Sequence, residues 1–131
     1  MSVASRAVDA PRPLIAIVDD EESVQRALRR LMVSAGFRAQ TFSCGAALLA
    51  SLSTDRPNCV VLDLHMPELN GFELQAQLKA SAQSVPVVVI TGHDTPDAQK
   101  RAMDAGAVAY LRKPIDDREL LDAVAKALAA A

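Results

Sequence analysis

The stretch Cys59-Val60-Val61-Leu62-Asp63-Leu64 is apolar until an aspartate interrupts it. Continuous rather than alternating hydrophobicity belongs to a strand covered on both faces, as in a parallel sheet. Similar short runs lie at Leu14–Val18, Val85–Ile90 and Val108–Leu111, with a weaker one at Phe37–Phe42. The segments between them change period. Val24, Ala27, Leu28, Leu31, Met32 and Ala35 follow i, i+3, i+4, i+7 spacing and predict an amphipathic helix, which Gly36 stops. Leu120, Leu121, Val124 and Leu128 mark a second stripe near the end of the chain.

Helix starts are signalled as well. Asn70 precedes Glu73 by three residues, and Asp116 precedes Glu119 by three, both in the manner of a capping box. Ser43 is the expected cap of the second helix, and Thr95-Pro96 reads as an N-cap followed by a first-turn proline. The pattern predicts five βα units. With right-handed crossovers they make an α/β fold, a doubly wound five-stranded parallel sheet with helices on both faces. In such a sheet the loops after the strands share one edge, and ligands bind there where the strand order reverses.

Composition bounds the rest. The 131 residues suffice for one domain, half of them are hydrophobic, and 23% are charged, so the chain has a core and is not an acidic disordered tail. The net charge is −2 and the basic residues are scattered, which argues against direct nucleic-acid binding by this domain. Residues 1–12 are expected to be a flexible tail without the apolar run of a signal peptide, and residues 13–131 to be the folded domain. No apolar run approaches the ~20 residues needed to cross a bilayer, so no membrane association and a cytoplasmic location are expected. Cys44 and Cys59 fit no metal spacing and are not expected to pair in that compartment; Cys59 reads as a small buried hydrophobe.

The residues just after each predicted strand carry the chemistry. The first strand is followed by Asp19-Asp20, the third by Asp63, the fourth by Thr91-Gly92-His93, and the fifth by Lys113-Pro114. The second ends in Ser43-Cys44 with no ionisable group, as an edge strand away from the site would. Each item has a bland reading. The acid pair can cap a helix, Asp63 can shape a turn, Thr91 can satisfy a carbonyl, and Lys-Pro can be a surface turn. Their joint arrival on one sheet edge is harder to assign to chance. Three clustered carboxylates repel one another, and one lysine does not balance them; binding a cation or protonating one of them relieves this. An all-oxygen ligand set favours a hard cation, with Mg2+ the expected one.

At these residues the chain resembles the receiver domains of two-component response regulators. The resemblance rests on Val18-Asp19-Asp20-Glu21, on Val61-Leu62-Asp63-Leu64-His65-Met66-Pro67 with Gly71, on Ile90-Thr91-Gly92, and on Tyr110-Leu111-Arg112-Lys113-Pro114. The Thr91-Gly92-His93 run is most similar to receivers of the FixJ type. The resemblance implies a flavodoxin-like sheet of order 2-1-3-4-5 and a phosphorylation-dependent switch. Asp63 is then the phosphoacceptor, and Lys113 and Thr91 contact the phosphoryl oxygens. Mg2+ is held by the side chains of Asp20 and Asp63, by the carbonyl of His65, and by Asp19 through water. The resemblance also implies a cis Lys113-Pro114 bond and a switch pair, Thr91 and Tyr110. The expected phosphodonor is a sensor histidine kinase or a histidine phosphotransfer protein. The expected output face, where such domains dimerise or meet a partner, is the fourth helix, fifth strand and fifth helix.

Ile115 departs from the phenylalanine common after Lys-Pro, for which a packing change is expected. His65 and His93 stand where the family tunes phosphoryl lifetime; they either modulate it or are two exposed loop histidines. The fourth helix is the expected moving element, with Ala98, Ala102, Met103 and Ala105 as its inward residues. A stand-alone receiver and the receiver part of a transcription regulator both remain open. Three rivals are weaker. An aspartyl phosphatase usually has an acid where His65 stands, a flavin or nucleotide module wants glycines where Asp-Asp-Glu-Glu stands, and a degenerate receiver would lack site residues that are present.

Overall fold

The structure, a computed structural model, describes residues 12–64, 71–80 and 85–130. Each strand is followed by a helix: β1 (Leu14–Val18), α1 (Glu22–Ser34), β2 (Arg38–Phe42), α2 (Gly45–Ser51), β3 (Cys59–Asp63), α3 (Gly71–Ala80), β4 (Val87–Thr91), α4 (Pro96–Asp104), β5 (Ala109–Arg112) and α5 (Asp117–Ala130). The strands are parallel in the order β2-β1-β3-β4-β5, the flavodoxin-like arrangement. Three of the four continuous apolar runs became the central strands, β1, β3 and β4, in which every residue is buried; the fourth became β5 at one edge, with Ala109, Tyr110 and Leu111 half-buried and Arg112 exposed. The weaker run became β2, at the sheet edge, with Arg38 and Gln40 exposed.

Alternate side chains of the central strands feed two layers, as the period of two requires. Ile15, Ile17, Val61, Val88 and Ile90 pack with Leu28 and Met32 of α1 and Leu120 and Val124 of α5. On the other face, Ala16, Val18, Val60, Leu62 and Val89 pack with Leu48 of α2, Leu74 and Leu78 of α3, and Ala98 and Ala102 of α4. The register sets Val18 beside Leu62, Asp63 beside Ile90, and Thr91 beside Arg112, so the chain leaves these strands along one edge. Cys59 is fully buried, as expected, and burial pushes its thiol up to about 12. Among the described residues no helix is long and apolar enough to cross a membrane.

Helix ends follow the local chemistry with some corrections. Gly36 (φ +95°) and Gly106 (φ +101°) close α1 and α4 in the left-handed conformation that glycine adopts without penalty. In each case the next residue's N–H bonds back into the last turn, Phe37 to the Met32 carbonyl and Ala107 to the Ala102 carbonyl, both at 3.0 Å. Thr95 Oγ1 accepts from the Ala98 N–H at 3.0 Å, and Asp116 Oδ2 from the Glu119 N–H at 3.1 Å. Ser43 does not cap α2. Cys44 holds the N-cap position without a side-chain bond, and the Ser43 hydroxyl accepts instead from Gln25 Nε2 at 3.1 Å. Ala27 and Ala35 of the expected α1 stripe are exposed, while Gln25 is buried there. Met103 points outward from α4 at 43% exposure, leaving Ala98 and Ala102 as its buried residues. The cap at Asn70 and most of the N-terminal tail lie outside the described residues.

Candidate functional site

Asp19 leaves β1 fully buried, and each of its polar groups is engaged. Its N–H donates to the Phe42 carbonyl at 3.1 Å, and its own carbonyl accepts from Gln25 Nε2 at 2.6 Å. Its Oδ1 accepts from the Glu21 N–H at 2.9 Å, and its Oδ2 from Lys113 Nζ at 2.9 Å. Asp63, the last residue of β3, is 3% exposed, and its Oδ2 lies 3.3 Å from the same ammonium. Asp20 faces solvent beside them. One carboxylate oxygen from each of Asp19, Asp20 and Asp63 falls within 4.8 Å of the others.

Lys113 answers part of this charge. Burial alone would lower its pKa, but the hydrogen bond to Asp19 and the charge of Asp63 outweigh that effect, so the net shift is upward and the ammonium stays charged. Its Nζ also reaches Glu21 Oε1 at 3.4 Å. The backbone holds Lys113 in place through its N–H to the Thr91 carbonyl at 2.8 Å, and Lys113-Pro114 is cis. Four carboxylates, Asp19, Asp20, Glu21 and Asp63, against one ammonium leave surplus negative charge on a set of hard oxygen donors. That chemistry fits a divalent cation such as Mg2+. An opening of ≈ 250 Å³, lined by Asp20, Glu21, Asp63, Gly92, His93 and Lys113, gives room for a small anion beside it.

Thr91 ends β4 fully buried, its Oγ1 accepting from the His93 N–H at 3.0 Å. Tyr110 is half-buried on the neighbouring β5, and its hydroxyl donates to Asp94 Oδ1 at 2.9 Å. Burial, and then the bond to Asp94, raise the Tyr110 pKa, so the phenol remains neutral. Arg112 pairs with the other Asp94 oxygen at 3.4 Å. His93 is exposed at the rim of the opening, and His65 lies outside the described residues. The structure therefore gathers Asp20, Asp63, Lys113 and His93 around one opening with Asp19 buried beside them, and sets Thr91 and Tyr110 on the adjacent strands behind the loop after β4.

Sequence reasoning missed three contributors. Gln25 steadies Asp19 from α1, and its signal was a polar residue at i−3 from Leu28 on a buried stripe. Asp94 anchors Tyr110, with no signal beyond its place in the loop after β4. A second cavity of ≈ 590 Å³, lined by Val24, Ala27, Leu28 and Ile115 among others, opens beside Lys113, and the sequence marks these residues only as packing positions.

A family model described as the response regulator receiver domain matches residues 15–125. The response regulator protein TodT of Pseudomonas putida is 39% identical over 116 residues, which make up 88% of this chain and 51% of TodT. The chain thus spans about half the length of the curated relatives it matches. Among solved structures, a response regulator receiver protein from Burkholderia phymatum is similar with TM-score 0.80 and 43% identity, covering 90% of this chain and 96% of that one. The structure described as FixJ-N matches with TM-score 0.83 and 34% identity, covering 91% and 95%.

Proposed function

The chain belongs to the response regulator receiver domain family, and from that premise we propose that Asp63 is its phosphoacceptor. The observation that carries this reading is one ammonium, Lys113 Nζ, lying 3.3 Å from Asp63 Oδ2 and 2.9 Å from Asp19 Oδ2 at the mouth of an acidic opening. A carboxylate paired with an ammonium in this way is a nucleophile with a charge-stabilising partner already in position.

An Asp63 carboxylate oxygen attacks the phosphorus of a phosphohistidine on a sensor histidine kinase or a histidine phosphotransfer protein. The P–N bond breaks, the imidazole leaves with the bonding pair, and a mixed anhydride forms on Asp63. Lys113 neutralises one phosphoryl oxygen and Thr91 donates its hydroxyl proton to another. Asp20 and Asp63 would hold Mg2+ directly, with the His65 carbonyl and, through water, Asp19. When bound, the ion supplies charge neutralisation to the transferring group. Water later attacks the phosphorus, releasing inorganic phosphate and restoring the carboxylate. His93, at the rim of the opening, and His65 are placed in sequence to obstruct or orient that water.

The modified aspartate adds roughly −1.5 to −2 charges at pH 7. Drawing Thr91 toward that group frees space that Tyr110 fills by turning inward, giving up its bond to Asp94. The face formed by α4, β5 and α5 then changes and serves a second copy or a downstream partner. The domain does not itself bind nucleic acid. It acts as the receiver part of a longer regulator or as a stand-alone receiver.

Incubation with Mg2+ and a small phosphoramidate tests the central step. The expected product is an alkali-labile phosphoryl adduct that disappears in Asp63→Asn and with a chelator. Labelling that persists in either case overturns the assignment. Replacing His65 and His93 singly and timing adduct decay tests the lifetime role, and unchanged half-lives would remove it.

A further inference from the structure

We infer that Gln75 of α3 is a positioning residue that pins the C-terminal end of α4, leaving the end nearest Thr91 to the Asp94–Tyr110 contact that the proposed switch releases. The inference rests on the proposed output role of α4. Gln75 is 2% exposed, and its Nε2 donates to the Ala102 carbonyl at 2.8 Å. That carbonyl also accepts the Ala107 N–H at 3.0 Å and so closes the last turn of α4. The glutamine thus occupies a second lone pair on the group that ends the helix. One turn before Gln75, the Phe72 ring lies under the Arg101 guanidinium, 3.9 Å from its centroid, in a cation–π contact to the same end of α4.

Packing does not explain a glutamine here. Its neighbours Leu74 and Leu78 are fully buried in the core, and Gln75 Oε1 is buried with no hydrogen-bond partner among the described residues. An unsatisfied buried acceptor is costly, so an apolar residue of similar volume would be the more stable choice. The remaining gain is the bond to Ala102. Apolar contact contributes little to holding α4, whose buried residues are the two alanines Ala98 and Ala102. A small cavity of ≈ 90 Å³, bordered by Gln75, Ala105 and Gly106, shows that the end of the helix is not tightly packed. Polar contacts to α3 are therefore what fix this end. At the other end the helix is capped by its own Thr95, in the loop that follows Thr91.

The test is amide hydrogen exchange on the unmodified protein, without Mg2+ or phosphodonor, comparing Gln75→Leu with the parent. Losing the pin should speed exchange of the Gly106 and Ala107 amides about five-fold, the effect of one hydrogen bond. The Ala98 and Gln99 amides should keep their rates. So should Gly36 and Phe37, which close α1 in the same way without a glutamine on the carbonyl. The urea midpoint should stay level or rise, because the unsatisfied acceptor is gone. Gln75→Met, unbranched and of similar length, should give the same pattern. Unchanged Gly106 and Ala107 rates would overturn the inference, and so would faster exchange spread over α1 together with a lower midpoint. Because nothing is phosphorylated here, this failure is separate from failure of the Asp63 assignment, which the labelling experiment tests alone.

Discussion

Replacing Gly71 by alanine separates two opposed expectations. Gly71 opens α3, and its N–H donates to the Leu64 carbonyl at 2.9 Å. Its backbone is not in the left-handed region, so helix propensity alone predicts that alanine stabilises by ~0.4–1 kcal/mol. The space says otherwise. A Cβ there would stand 2.6 Å from Leu64 Cα, 2.8 Å from Leu64 Cδ2 and 3.1 Å from the Asp63 carbonyl oxygen. The Cδ2 can rotate away, but Cα moves only with the peptide that follows Asp63. Reaching ordinary contact at 3.4 Å requires 3.4 − 2.6 = 0.8 Å of separation between the start of α3 and the end of β3. Overpacking of this kind costs ~1–3 kcal/mol, and a backbone obstacle belongs at the upper end of that range. Subtracting the propensity gain leaves a net loss of about 2 kcal/mol. With a urea dependence of ~2 kcal/mol per molar, the unfolding midpoint should fall by roughly 1 M. The strain lies against Asp63, so phosphoryl labelling should slow in parallel under folded conditions. A midpoint equal to or above the parent's would refute the close-approach argument.

Lys113→Met removes the ammonium shared by Asp19 and Asp63, so divalent-cation binding should tighten while phosphoryl labelling slows by ~10² or more; an unchanged labelling rate would show that the lysine does not contact the transferring group. Gln25→Ala strips the Asp19 carbonyl and the Ser43 hydroxyl of their donor and should cost ~1–3 kcal/mol in urea unfolding, with a several-fold loss of cation affinity if Asp19 is displaced. Cys59 gives a pH signature: its thiol ionises near 9.0 when unfolded and near about 12 when folded, so the unfolded state loses its proton first and stability falls across that window by ~1.4 kcal/mol per pH unit. Lys113 acts in an overlapping range, since its raised pKa contributes stability that is present below 10.5 and lost as pH climbs through the folded value. Cys59→Ala should therefore flatten the alkaline slope without abolishing it, and an unaltered slope would mean that the thiol is not the group responsible.

The sheet was legible because burial on both faces leaves a mark that position alone preserves. Leu14–Val18, Cys59–Asp63 and Val87–Thr91 have no solvent face, so their sequences have no alternation. Arg38–Phe42 borders solvent and accordingly gave the weaker signal. The meeting of Asp19, Asp20, Asp63 and Lys113 was legible for a related reason. In a parallel sheet every strand end faces the same way, so Asp19 and Lys113, 94 positions apart, share one edge, and the long lysine side chain reaches across it to the aspartate.

What was not legible depends on where a side chain goes once the layers are packed. Ser43 has the chemistry of a cap, yet its hydroxyl is taken by Gln25 from a helix 18 residues earlier, a competition that no local window contains. The sequence predicts Met103 inward because α4 offers few apolar residues with which to set its phase; in the structure the bulky residue faces out and the two alanines face in. That choice bears on the proposed switch. Small inward residues let the helix lie close to the sheet while burying little area, so its position depends on a few polar contacts rather than on a large core face. Asp94 at one end, through Tyr110, and Gln75 at the other, through Ala102, are such contacts, and neither lies in a hydrophobic pattern. Hydrophobic periodicity therefore reports the rigid part of this domain, while the contacts that would let it switch are held by isolated polar residues whose partners only the folded chain supplies.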